Sequence, residues 1–281
     1  MLNTFLWFLI IYFKKFQLLK RYYNDSQQNS LLYLPRELHV TLSLQGERIK
    51  RIIFIGDVHG CYDELCELLK KVNYYESKDI IAVFVGDICN KGPKSIETLQ
   101  HIRQLGSKAF SVRGNHEQSV LCRLKELENG VQPTKKYMWI SELTEEDCLY
   151  LKQLPLTITI PLVNVIVVHG GLVPGTPLLL QKPKLMISMR NFVPEKLSGT
   201  SNIDEGVPWA GQWTGPEFVI FGHDARRRLQ KYRYAIGLDT GCLYGSRLTG
   251  LINTDDGVSS FKNGKFVHVN AHHAYAWDQI L

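Results

Sequence analysis

The chain has 281 residues, 44% of them hydrophobic, and a formal net charge of +6. That suits one large globular domain, or a domain with an appendage, and the basic balance favours polyanionic partners, although a solvated basic surface accounts for it as well. Six cysteines with no C-x-x-C pair exclude a disulfide-dense fold and give no support to a structural zinc site; the thiols read as reduced and mostly structural, as in a cytosol-like compartment.

Residues 1–13 are almost wholly apolar, and Lys14, Lys15, Lys20 and Arg21 follow with no acidic residue before Asp25. A secretory signal places its positive charge first, so the order is wrong for one. The run is also short of the roughly 20 residues of a spanning helix. Residues 1–21 are read as a hydrophobic and basic segment for membrane association of a cytoplasmic protein. A mitochondrial presequence and a helix packed on the domain are the alternatives. Residues 22–47 read as a linker and 48–281 as the folded domain.

From residue 51 apolar runs alternate with amphipathic ones. Strands are expected at 51–55, 80–85 and 109–112, and helices at 62–72, 94–105 and 117–128. Serial β-α-β units imply a parallel sheet with right-handed crossovers. A further helix begins at Thr144, where T-E-E-D has capping character. Beyond it the pattern turns to β, with runs at 156–160, 163–168, 218–221, 234–238, 247–253 and 258–268 and turn signals at Asp256-Gly257 and Asn263-Gly264. Two sheets with helices outside follow from this order. The Pro- and Gly-rich stretch 172–217 reads as long loops.

Short polar clusters stand after these strands. Asp57 and His59 lie in G-D-V-H-G, Asp87 in G-D-I-C-N-K-G-P, Asn115 in G-N-H-E, His169 in V-V-H-G-G and His223 in F-G-H-D. Loops at the carboxyl ends of parallel strands converge on a ligand crevice. One such histidine alone is more often a core or surface residue. The ordered set supplies carboxylate, amide and imidazole donors for two adjacent divalent transition-metal ions, with Mn, Fe, Zn or Co suited better than Ca. Two such ions activate a water and clamp phosphoryl oxygens in an in-line displacement.

On these motifs the chain resembles the calcineurin-like metallophosphoesterases of the phosphoprotein-phosphatase superfamily, over roughly residues 50–255. The resemblance implies a four-layer α/β/β/α sandwich. It implies one metal on Asp57, His59 and Asp87, and a second on Asp87, Asn115, His169 and His223. It makes His116 the general acid, so that His116 and Asp87 are the expected catalytic residues, and Asn115 also faces substrate.

The second motif separates branches. Protein serine/threonine phosphatases carry G-D-x-V-D-R-G there, whereas this chain has Asn90 and Lys91 in place of the acid and the arginine. N-K-G-P-K-S at 90–95, H-G-G-L-V-P-G at 169–175, M-R-N at 189–191 and G-L-D-T-G-C-L-Y-G-S-R-L-T at 237–249 are similar to the ApaH-like phosphatases. That resemblance implies Lys91 and Arg190 as phosphate contacts, with Arg113 and Arg247 assisting; a structural role for Arg113 stands beside this. It implies cleavage of phosphoanhydride bonds in inorganic polyphosphate or dinucleoside polyphosphates, with nucleic acid a partner only as a capped RNA end. A protein serine/threonine phosphatase is the alternative, and a non-catalytic membrane-anchoring protein a third reading. Trp209 and Trp213 are read as anchors rather than base-stacking platforms. Arg226, Arg227 and Arg228 either steer a polyanion or form a solvated turn.

Overall fold

The computed structural model describes residues 33–44, 49–253 and 264–276. The described residues from Leu34 onward form one compact unit. The expectations for residues 1–21, for Asp256-Gly257 and for the start of the last strand run fall outside the described residues.

The elements run β1 (His39–Thr41), β2 (Arg51–Ile55), α1 (Tyr62–Lys71), β3 (Ile80–Phe84), α2 (Ser95–Gln104), β4 (Ala109–Ser111), α3 (Asn115–Glu128) and α4 (Glu145–Gln153). Then follow β5 (Thr157–Ile160), β6 (Val165–Val168), α5 (Pro183–Ser188), β7 (Asn191–Val193), β8 (Ser198–Thr200), β9 (Val207–Pro208), α6 (Trp209–Gln212), β10 (Phe218–Phe221), β11 (Gln230–Lys231), β12 (Ala235–Gly237), β13 (Arg247–Asn253) and β14 (Lys265–Asn270).

One sheet has the order β14-β13-β2-β3-β4, with β2, β3 and β4 parallel and β13 antiparallel to β2. A second has the order β1-β5-β6-β10-β12-β11, with β6, β10 and β12 parallel. Strands β2 and β3 are continuous apolar runs because both of their faces are covered. Phe54, Val83 and Leu251 from the first sheet, with Val112 just past β4, share one buried cluster with Ile158, Val165, Val167, Ile220 and Ile236 from the second. Helices α1 and α2 pack against the first sheet. The outer layer of the second is thinner. There α6 packs beside β12, and Trp209 tilts onto Phe221 with ring centroids 4.9 Å apart.

Two expectations are corrected. The stretch 22–47 is not wholly a linker, since His39, Val40 and Thr41 pair in parallel with Thr157, Ile158 and Thr159. A three-residue strand is too short to show an alternation. Nor is 172–217 only loop, for it holds α5, α6 and a small antiparallel sheet of order β8-β7-β9. Helix α3 begins at Asn115, two residues earlier than expected, which puts His116 in its first turn.

Candidate metal centre

The carboxyl ends of three parallel strands from each large sheet meet at one place. Asp57 follows β2, Asp87 follows β3, the Arg113–Asn115 turn follows β4, His169 follows β6, His223 follows β10 and Asp239 follows β12. His59, Asp87, Asn90, Lys91 and His223 all have positive φ, between 49° and 72°. Non-glycine residues enter that region at a cost of roughly 1–3 kcal/mol each, and such residues cluster where a site needs them. Gly114 and Gly222 clear the space: a Cβ on the first would strike Asp87 Oδ1, and on the second Asp57 Oδ1.

Asp87 lies at the centre. Its Oδ2 is 3.4 Å from His59 Nε2 and 3.3 Å from His169 Nε2, and its Oδ1 accepts the His116 N–H at 2.9 Å. The donor atoms of Asp87, His169 and His223 lie within 4.8 Å of one another, as do those of His59, Asp87 and His116. Asp87 thus stands between both groups. Asp57 is buried and accepts the His223 N–H through both oxygens, at 3.2 and 3.0 Å. Asn115 Oδ1 is 2.9 Å from His169 Nε2.

Backbone carbonyls fix two of the imidazoles. His169 Nδ1 donates to Val85 O at 2.9 Å, and His223 Nε2 donates to Ser188 O at 3.1 Å. The opposite ring nitrogen of each is left to act as a ligand, the usual support for a metal-binding histidine. His59 Nδ1 is buried with no partner.

Electrostatics favour a cation here. Burial, with Asp239 and Asp87 nearby, pushes the Asp57 carboxyl well above the ordinary carboxylate range. Burial also pushes up Asp239, to about 6. It opposes ionisation of Asp87 too, but His169, His116 and His59 outweigh it and hold Asp87 well below the usual value. Burial lowers His59 and His223 well below the normal imidazole value. His169 rises despite its burial because Asp87 sits against it. Crowded carboxylates, neutral imidazoles and a bare ring nitrogen are what divalent ions would satisfy.

The centre opens into a cleft of about 700 Å³. Lys91, Arg190, Arg226 and Arg228 line it together with His116, Tyr244 and residues 201–204. Lys91 Nζ donates to the Tyr244 hydroxyl at 3.2 Å. Arg190 is steadied by the carbonyls of His223 and Ser201 at 3.3 and 3.4 Å. Arg227 turns away to Asp224 and to Asn191 Oδ1. The Asn90 amide nitrogen is 2.9 Å from His116 Nδ1.

Of the expected phosphate contacts, Arg113 and Arg247 lie outside the cleft lining. Arg113 is fully buried and its guanidinium donates to Gln118 Oε1, Leu151 O and Lys152 O, behind the centre. Arg247 opens β13 outside the cleft lining, with its carbonyl accepting the Thr240 hydroxyl. Trp209 is buried and donates to Gly170 O, and Trp213 donates to Glu217 O, so both are anchors.

Two further residues shape the site. Asp239 lines the cleft from G-L-D-T-G, a motif with no strong ligand signature. Glu117 is buried, and its carboxylate accepts the N–H groups of Asp87, Ile88 and Gly114 at 2.7–2.9 Å. It clamps the Asp87 loop to the start of α3. The G-x-x-E capping pattern at 114–117 was the available signal.

The family model for calcineurin-like phosphoesterases matches residues 50–227. This chain is a calcineurin-like phosphoesterase. Members use divalent metal ions, and the ligand cluster lies within the fold that carries them. The phosphoesterase is 30% identical over 223 residues to the asymmetrical bis(5'-nucleosyl)-tetraphosphatase PrpE of Halalkalibacterium halodurans, covering 70% of this chain and 87% of that protein. It is 27% identical over 263 residues to the symmetrical bis(5'-nucleosyl)-tetraphosphatase of Aliivibrio fischeri strain ES114, covering 73% and 95%. A solved structure described as a candidate diadenosine tetraphosphatase superposes with a TM-score of 0.71 at 37% identity, over 84% of this chain and 98% of that one. A protein serine/threonine phosphatase from Saccharomyces cerevisiae shares the fold, with a TM-score of 0.57 at 16% identity over 88% of each chain. Among the described residues of the phosphoesterase, no helix is long and apolar enough to cross a membrane.

Proposed function

We propose that this phosphoesterase hydrolyses phosphoanhydride bonds in dinucleoside polyphosphates, and in polyphosphate chains that fit the same cleft. The observation that carries this reading is the union of the ligand cluster with Lys91, Arg190, Arg226 and Arg228 in one cleft. Four cations suit a run of phosphates better than a single phosphoryl group. The names of the relatives, which include both asymmetrical and symmetrical bis(5'-nucleosyl)-tetraphosphatases, support the dinucleotide class.

Asp57, His59 and Asp87 hold one divalent transition-metal ion in this reading, and Asp87, Asn115, His169 and His223 a second, drawn from Mn, Fe, Co or Zn. When bound, the ions supply Lewis-acid polarisation of a phosphoryl oxygen and an acidified water. Lys91 and Arg190 bind and orient the phosphate chain. Lys91 acts as a point charge steered by Tyr244, without the bidentate fork of an arginine. His116 faces the leaving oxygen as a hydrogen-bond donor through Nε2–H. A departing phosphate is a weaker base than a serine alkoxide and needs less proton transfer.

The direct test incubates the full chain with diadenosine tetraphosphate and with long-chain polyphosphate, each with Mg, Mn, Co or Zn, and separates the products. Two ADP, or ATP with AMP, supports the reading and reports where the chain is cut. An intact dinucleotide and unshortened polyphosphate with every metal would overturn it.

A further inference from the structure

The thiols of Cys61 and Cys242 and the carboxylate of Glu64 meet in the interior, with donor atoms all within 4.8 Å of one another. Cys61 and Glu64 are fully buried, and Cys242 is 1% exposed. Cys61 is the N-cap of α1 and Glu64 lies in its first turn, so both face the same way. Cys242 comes from the loop between β12 and β13. Glu64 Oε1 is already engaged, accepting the His272 N–H and the Tyr275 hydroxyl, each at 2.9 Å. Glu64 Oε2 has no partner, although no part of the residue reaches solvent. A buried carboxylate oxygen without a donor is costly unless a cation compensates it.

We propose that Cys61, Glu64 and Cys242 form a structural site for a thiolate-seeking divalent cation, with Zn²⁺ best suited. Zinc accepts cysteine sulfur and carboxylate oxygen in one tetrahedral set, which leaves a single position for a further donor. Coordination releases the two thiol protons to solvent. The site shares no donor with the catalytic cluster. It joins the start of α1, just after His59, to the 237–249 segment that carries Asp239 and Tyr244, and to the tail that carries His272 and Tyr275. Occupancy therefore braces the two loops that present His59 and Asp239. No C-x-x-C spacing announces the site, because its cysteines come from opposite ends of the domain. A Cys61–Cys242 disulfide is the rival arrangement, and it leaves Glu64 Oε2 as bare as before.

The test titrates the reduced, metal-stripped full chain with Co²⁺. Sulfur-to-cobalt charge-transfer absorption is expected, a signal that the oxygen and nitrogen donors of the catalytic centre cannot produce. The Cys61→Ser/Cys242→Ser double variant should lose it. Absence of the band in the reduced parent overturns the proposal, as does a band that survives in the double variant, or a Cys61–Cys242 disulfide mapped in chain isolated without added oxidant. If the double variant does not fold, Glu64→Gln keeps both thiols and serves instead. Its Co²⁺ affinity should fall about tenfold or more, and an unchanged band and affinity would count against the site.

Discussion

The side-chain nitrogen of Asn90 lies 2.9 Å from His116 Nδ1, while its amide oxygen accepts the Lys91 N–H at 3.0 Å. The second bond fixes the amide, so nitrogen rather than oxygen faces the ring. His116 Nδ1 is therefore an acceptor, and the ring is neutral with its proton on Nε2. Burial, reinforced by Lys91 and His169 against the pull of Asp87, lowers His116 to about 4. An aspartate at position 90 would instead accept from Nδ1–H and favour the imidazolium.

Asn90→Asp should consequently raise the His116 pKa and strengthen it as an acid. Hydrolysis of a phosphoserine peptide is expected to rise about tenfold or more relative to hydrolysis of a phosphoanhydride. Steady-state kinetics on both substrates check this. An unchanged ratio would show that Asn90 does not govern the leaving-group preference.

Asp87→Asn keeps the hydrogen bond to the His116 N–H but removes the charge shared between both ligand groups. Turnover is expected to fall about a thousandfold, since Lewis-acid stabilisation is worth several kcal/mol. Metal content should fall with it, while the urea midpoint of the metal-free chain stays close to the parent's. Full turnover in the variant would remove the shared-ligand assignment.

Lys91→Ala should mainly raise KM, because it deletes a phosphate contact and leaves the ligand cluster intact. Tyr244→Phe, which frees the lysine, should move KM in the same direction by less. An unchanged KM in Lys91→Ala would exclude Lys91 from the substrate path.

Arg113→Met is predicted to act on stability instead. It removes a buried guanidinium that donates to the carbonyls of Leu151 and Lys152 and to Gln118, at a cost of about 3 kcal/mol. Denaturant unfolding should report this loss with KM unchanged. A raised KM at parental stability would return Arg113 to the substrate path.

These cases mark what the sequence discloses. Asp57, Asp87, His169 and His223 were legible because each directly follows an apolar strand run and stands beside a glycine. The sequence leaves Arg113 open between a substrate contact and a structural role, because adjacency to G-N-H-E does not say which way a side chain points; the turn after β4 sends it behind the centre. Arg247 begins a strand on the far side of the same motif from Asp239, and spacing alone did not separate lining from non-lining positions. Strands β1, β7, β8 and β9 are two or three residues long, below the length at which alternation shows. Glu117 needed the fold, since its partners come from the loop after β3.

The capping acid of α4 gives a pH dependence away from the metals. Asp147 is buried, caps the Thr144 N–H at 3.1 Å and accepts from Gln100 and Arg103 at 2.9 and 3.0 Å. Burial works against its charge, but these bonds outweigh burial and hold the carboxyl below its ordinary 3.8. A depressed carboxyl adds stability above its unfolded value, and that stability is lost as pH falls through the folded one. Asp147→Asn should cost about 2 kcal/mol at neutral pH, and the gap from the parent should close as the pH drops below 3.8. Urea melts across that range decide the point; a gap that stays constant would contradict it.

The most direct test of the central claim compares kcat/KM for diadenosine tetraphosphate and for a phosphoserine peptide on one preparation of the full chain with Mn. The neutral His116 and the cationic cleft predict a dinucleotide preference of about a hundredfold or more. A preference for the phosphopeptide would contradict the account and place the protein among the phosphoprotein phosphatases.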